Sequence, residues 1–151
     1  MINEQSTVSM QRLPGVPAGG IRTVGQIRGT NSLIFHAGQN GMAVAIELVS
    51  SRIPGAPVLD DRNEFIGFVS EFDVLRALEA GKDLSEMTVD QIMAQDRIAV
   101  LSETTIEAAV KLMEEKRLLN LPVMKGGKVA YSVTRHDLLR AWIGLGTSGE
   151  D

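Results

Sequence analysis

The chain has 151 residues, 44% of them hydrophobic and 23% charged, with a formal net charge of -4 and a pI near 5.2. This is the composition of one compact domain or two very small ones; it excludes a chain disordered throughout and a general nucleic-acid binder, which needs clustered Lys and Arg. With no cysteine, disulfides, zinc-thiolate sites and thiol nucleophiles drop out, and a reducing, cytoplasmic setting is expected.

Residues 1–22 carry Glu4 and polar side chains where a signal peptide would have an apolar run. No stretch of the sequence approaches the roughly 18 apolar residues of a membrane span, so no membrane role is expected. Pro14, Gly15, Pro17, Gly19 and Gly20 break helices and strands, which makes 1–22 an expected flexible tail. A second flexible tail is expected at 146–151.

Between the tails the chain repeats itself. Thr23-Val24-Gly25-Gln26-Ile27 returns 65 residues later as Thr88-Val89-Asp90-Gln91-Ile92, and Arg52-Ile53-Pro54-Gly55-Ala56-Pro57-Val58 returns as Arg117-Leu118-Leu119-Asn120-Leu121-Pro122-Val123. Ser70-Glu71-Phe72-Asp73 returns as Thr134-Arg135-His136-Asp137, one residue closer, as if a turn had lost a position. The repeats are placed at 23–87 and 88–145. In the first, the pattern predicts a strand over Leu33 to His36, a helix over Gly41 to Arg52, strands over Ala56 to Leu59 and Phe65 to Val69, and a helix over Glu71 to Ala80. In the second, Arg97 to Leu101 is a strand, and Thr104 with Glu107 fits a capping box opening a helix that ends near Arg117. Ile106, Val110 and Met113 fall on one face of that helix. Strands over Leu121 to Met124 and Val129 to Val133 join through Lys125-Gly126-Gly127-Lys128, and a helix carrying Leu138, Leu139 and Trp142 follows Thr134. The fold class is α+β, β-α-β-β-α twice. A lone unit of about 60 residues buries only about 60% of its unfolded surface, so the two are expected to pack together as one module.

Both repeats end on an apolar strand, a hydroxyl residue, and a carboxylate three positions on: Ser70 with Asp73, and Thr134 with Asp137. One reading is a plain helix N-cap box. The other is a ligand site, in which the helix N-terminus offers amides to phosphate and the carboxylate accepts from ribose hydroxyls. The two are compatible. Arg135 and His136 put cations in the first helical turn, where they oppose the helix dipole unless an anion is bound, whereas Glu71 in the first repeat would repel a phosphate. The two sites are therefore expected to be unequal, with a phosphate-bearing ligand preferring the half with Thr134, Arg135, His136 and Asp137.

These blocks together resemble the cystathionine-beta-synthase (CBS) domain in its tandem form, the Bateman module, over about residues 23 to 145. The resemblance implies a pseudo-twofold pair with two clefts that hold AMP, ADP, ATP or a related adenosyl compound, S-adenosylmethionine included. It implies that Asp73 and Asp137 hold ribose, with Ser70 and Thr134 near ribose or phosphate. It further implies that Pro54, Gly55, Leu119 and Asn120, with Ile34, Ile98 and Ala99, flank adenine. Pro54-Gly55 also reads as a turn, and Ile34, Ile98 and Leu119 also read as core residues. Tyr131 stands where the first repeat has Gly67, and either closes the second cleft or supplies a stacking ring.

Other chemistry finds little support. The only histidines, His36 and His136, lack partners at zinc-ligand spacing, and there is no Gly-x-Ser-x-Gly elbow and no Gly-Lys-Ser/Thr phosphate loop. The expectation is a non-enzymatic sensor that requires no cofactor and acts through a homodimer or a separate regulated protein. Helices Glu71 to Ala80 and Arg135 to Ile143 are the expected dimer contacts. The alternative is a ligand-free dimerisation scaffold with the same architecture.

Overall fold

The computed structural model describes residues 21–28 and 31–144. The expected tails lie outside the described residues except for Ile21, which packs on the core of the second repeat, and Arg22, whose carbonyl accepts from the Ile106 N–H.

Each repeat opens with one helical turn, a 3-10 turn at Val24–Gln26 in the first and α3 at Val89–Ile92 in the second. The repeated Thr-Val-x-Gln sequence explains both: the N–H of Thr23 donates to Gln26 Oε1 and that of Thr88 to Gln91 Oε1, each at 3.0 Å, closing the turn on its own first residue. The first repeat continues with β1 (Phe35–His36), α1 (Gly41–Ser51), β2 (Gly55–Leu59), β3 (Phe65–Ser70) and α2 (Glu71–Glu79). The second continues with β4 (Val100–Leu101), α4 (Ile106–Lys116), β5 (Asn120–Lys125), β6 (Lys128–Thr134) and α5 (Arg135–Trp142).

The order strand, helix, strand, strand, helix is the one expected from the periodicity, and it builds two three-stranded sheets of identical topology. In the first, β1 runs parallel to β2 and β2 antiparallel to β3; β4, β5 and β6 repeat this. A parallel pair needs a crossover, which α1 and α4 supply. Both crossover helices end on an arginine in the left-handed region, Arg52 at φ 59° and Arg117 at φ 55°. This non-glycine αL cap costs about 1 kcal/mol, yet it occurs at matched positions because it turns the chain straight into the central strand.

Three expectations need correction. The N-cap of α4 is Thr105, whose hydroxyl accepts from the Ala108 N–H, rather than Thr104. Its buried stripe is Ile106, Ala109 and Met113, with Val110 half-buried, because the small Ala109 lets the helix approach the sheet. Strands β1 and β4 are only two residues long. Leu33 is held off the ladder by an Asx turn, its N–H donating to Asn31 Oδ1 at 3.2 Å.

The opening turns are exchanged between the repeats. Val24 and Ile27 are buried among Ile106, Leu121, Val123 and Val133 of the second repeat, while Val89 and Ile92 are buried among Val44, Leu48, Val58 and Val69 of the first. Backbone bonds secure both ends: Val24 N–H to Thr104 O and Gly25 N–H to Ser102 O at 2.9 and 2.8 Å, and Val89 N–H to Gln39 O at 2.8 Å. Gly25 is needed for this fit, since a Cβ there would lie 2.6 Å from the Ser102 carbonyl oxygen. From its turn each chain segment crosses back along the outer strand of the other sheet, where Asn31 bridges Ser132 and Ala94 bridges Phe68. No described helix is long and apolar enough to cross a membrane.

Candidate functional site

The two halves meet where equivalent residues face each other. In the β2–β3 ladder Gly55 pairs with Ser70, and in the β5–β6 ladder Asn120 pairs with Thr134. The side-chain amide of Asn120 donates to the Gly55 carbonyl at 2.6 Å, both residues being buried. Ser70, Gly55, Asn120 and Thr134 thus form one continuous line across the pseudo-twofold axis, with a helix N-terminus at either end.

At the first end the Ser70 N–H and Oγ both donate to Asp73 Oδ2, at 2.8 and 3.0 Å, and the Asp73 N–H donates back to Ser70 Oγ at 3.2 Å. Arg76 adds an ion pair to Asp73 Oδ1 at 2.8 Å. Three donors occupy most of the roughly four lone-pair directions of that carboxylate. At the second end the Thr134 N–H donates to Asp137 Oδ2 at 2.9 Å, and the Asp137 N–H to Thr134 Oγ1 at 3.1 Å. Both carboxylates are buried, at 9% and 5% exposure, and each forms the capping box expected from the sequence.

The N-termini differ in what they offer. The Glu71 N–H is already bonded to the Pro54 carbonyl at 2.9 Å, while the Arg135 N–H makes no corresponding backbone bond to Leu119, which is 45% exposed. Glu71 and Asp73 crowd the first turn of α2 with two acids; α5 has only Asp137 there, next to the exposed Arg135 and His136.

Of the residues singled out in the sequence, Pro54, Gly55, Ser70 and Asp73 are brought to one end of this line, and Leu119, Asn120, Thr134 to Asp137 to the other. Asn120 is committed to the axis, and Gly55 is a glycine for space: a Cβ there would meet the Val69 carbonyl oxygen at 2.8 Å and the Phe68 ring at 3.1 Å. Ile34, Ile98 and Ala99 are half-buried and precede the short strands rather than lying on them, and Ile98 packs on the second core. Because of the crossing segments, the stretch leading to Ile34 leaves the edge of β6, and that leading to Ile98 and Ala99 leaves the edge of β3.

Tyr131 does neither thing expected of it. Strand alternation turns it to the helix side of the sheet, where its hydroxyl donates to the Val24 carbonyl at 2.8 Å and burial pushes its pKa up. At the matching Gly67 a Cβ would lie 2.6 Å from Met93 Sδ, so a methionine of the exchanged turn fills the space in the first repeat. Sequence reasoning missed Asn31 and Ser132. Both are buried, and Ser132 Oγ has no hydrogen-bond partner. Ser132 is the counterpart of Phe68, so the face of β6 turned away from the core presents a small hydroxyl where β3 presents a ring. Among the described residues, no group of three or more His, Cys, Asp or Glu side chains is placed to hold a metal ion.

A family model described as CBS domain matches residues 24–80 and 89–144. The uncharacterised protein MK0525 of Methanopyrus kandleri is 27% identical over 120 residues, which is 78% of this chain and 61% of that protein. The chain spans smaller shares, 27% and 34%, of two further curated relatives. Among solved structures, CBSX2 in complex with AMP is similar with a TM-score of 0.66 at 26% identity, covering 79% of this chain and 94% of that one. The CBS domain pair of protein MJ0100, in complex with 5'-methylthioadenosine and S-adenosyl-L-methionine, has a TM-score of 0.69 at 22% identity, covering 80% and 94%.

Proposed function

The chain belongs to the CBS domain family, both of its repeats being matched, and from that premise we propose that it is a non-catalytic regulatory pair that binds an adenosyl ligand of the AMP, ADP or ATP type, with S-adenosylmethionine also admitted. The observation that carries this reading is the line from Ser70 through Gly55 and Asn120 to Thr134. It sets two helix N-termini, each with a buried carboxylate, on either side of one axis. The AMP bound to CBSX2 and the adenosyl compounds bound to MJ0100 support the ligand class.

We assign the phosphate-bearing ligand to the end with Thr134, Arg135, His136 and Asp137. There the exposed Arg135 and His136 flank the helix N-terminus and favour an anion, where the first end has Glu71. Repeats bounded at 23–87 and 88–145, a cytoplasmic setting, and output through pairing of two copies or through a separate regulated protein complete the reading. Ligand binding shifts that output by its differential affinity for the two states.

The test is a thermal-shift screen over AMP, ADP, ATP and S-adenosylmethionine, followed by calorimetry. A ligand at 100 times its Kd adds about 2.7 kcal/mol of stability. No shift with any of them overturns the sensor reading in favour of a ligand-free dimerisation scaffold, and turnover of the nucleotide overturns the non-catalytic one.

A further inference from the structure

The two sheets differ on the faces they turn toward the axis. In the second, Asn120 and Pro122 of β5 stand opposite Thr134 and Ser132 of β6, and directly opposed residues set their side chains on one face. That face looks to the axis, because the Asn120 amide reaches from it to the Gly55 carbonyl. Ser132 therefore shares a face with Thr134, about 6–7 Å away along the strand. Asn31, whose carbonyl accepts from the Ser132 N–H at 2.8 Å, bridges Ser132 in antiparallel sense and so places its own side chain on the same face. Both residues are buried, at 7% and 1% exposure, and Ser132 Oγ has no hydrogen-bond partner among the described residues. On the first sheet the bridge at this place joins Phe68 to Ala94, two side chains with no polar atom to satisfy.

A buried hydroxyl without a partner carries its desolvation cost uncompensated, and Phe68 shows that the fold accepts an apolar side chain at the matching position. A partner that arrives with a ligand removes that cost. We propose that Ser132 and Asn31 read the polar edge of the base of the adenosyl ligand held at Thr134 and Asp137. Ser132 Oγ accepts from the exocyclic amino group, and the Asn31 amide nitrogen donates to the ring nitrogen beside it. Asn31 Oδ1 already accepts from the Leu33 N–H at 3.2 Å, so the donors of that amide are what it offers a base. The bridge between Asn31 and Ser132 is isolated rather than part of a ladder, and the crossing segment can give way there to admit the base. The inference rests on the adenosyl reading above and deepens it by naming the residues that select the base. At the first end, Phe68 and Ala94 offer a base apolar contact alone.

The probe is purine riboside 5'-monophosphate, which is AMP without its exocyclic amino group. In calorimetry on the full chain, the parent is expected to bind AMP about tenfold more tightly than this analogue, the value of one hydrogen bond. Ser132→Ala is expected to bind the two alike. Asn31→Asp keeps the acceptor for the Leu33 N–H and loses the donors, so it is expected to weaken both ligands and leave the preference for AMP in place. Without nucleotide, Ser132→Ala is expected to melt no lower than the parent, since no hydrogen bond is lost. No preference in the parent, or the same preference in Ser132→Ala, overturns the inference and leaves the sensor reading standing. A parent that binds neither ligand overturns both. A Ser132→Ala variant that melts several degrees lower without nucleotide shows the hydroxyl bonded in the free protein, and overturns the inference alone.

Discussion

Asn120 and Gly55 occupy equivalent positions in the two repeats, and the side chain of one donates to the backbone of the other at 2.6 Å. A pair symmetric in backbone is thus closed by an asymmetric hydrogen bond, because glycine has no side chain to return it. Replacing the donor by a residue of similar size, Asn120→Leu, leaves the Gly55 carbonyl buried and unsatisfied. The expected cost is about 1–3 kcal/mol, read as a fall of several degrees in Tm. An unchanged Tm would mean that the contact at the axis is not made in solution.

The Tyr131 hydroxyl ties the sheet of the second repeat to the exchanged turn through the Val24 carbonyl. Its pKa is raised by burial, so the folded state holds the proton more tightly than the unfolded one. The stability this contributes is fully present below the ordinary tyrosine value of about 10 and is lost as pH rises from there through the folded value. Denaturation curves between pH 8 and about 11 are expected to show this alkaline loss in the parent and a smaller one in Tyr131→Phe. That variant is also less stable at neutral pH by about 1 kcal/mol or more.

Asp137→Ala is expected to lower adenosyl affinity about ten- to a hundredfold, the value of hydrogen bonds to a charged acceptor. Loss of the cap costs only about 1 kcal/mol of stability. Asp73→Ala is expected to move affinity for a phosphate-bearing ligand less, since Glu71 in the same first helical turn repels phosphate. Calorimetry giving equal affinities for Asp137→Ala and the parent would reduce Asp137 to a helix cap.

Affinity for AMP or ATP is expected to fall with added salt and to drop severalfold in Arg135→Ala, whereas adenosine responds little to either. Glu71→Gln is expected to improve phosphate binding at the first end only. Nucleotide density confined to the neighbourhood of Ser70 and Asp73 in a soaked crystal would reverse the assignment of the two ends.

The repeat itself was legible because three blocks recur at nearly constant spacing, and both capping boxes follow from Ser70 with Asp73 and Thr134 with Asp137. What escaped was whatever depends on which repeat a segment packs against. Periodicity marks Val24 and Val89 as apolar, but local pattern carries no information on whose core receives them. The same blindness hid the role of Tyr131, whose partner is 107 residues away, and the candidacy of Asn31 and Ser132, which touch only because the chain crosses over. Thr104 and Thr105 are equally good caps by composition, and only the chain path chooses between them.

The traded opening turns make the two halves interdependent. Cut anywhere near the exposed Gly81 to Asp83 turn, the chain would yield two pieces, one without Val89 and Ile92, the other without Val24 and Ile27. Neither piece alone can complete its interior, yet each carries the fragment its companion lacks. A single ancestral repeat would have met the same requirement by swapping turns with an identical copy, and tandem fusion converts that intermolecular exchange into an intramolecular one, independent of concentration.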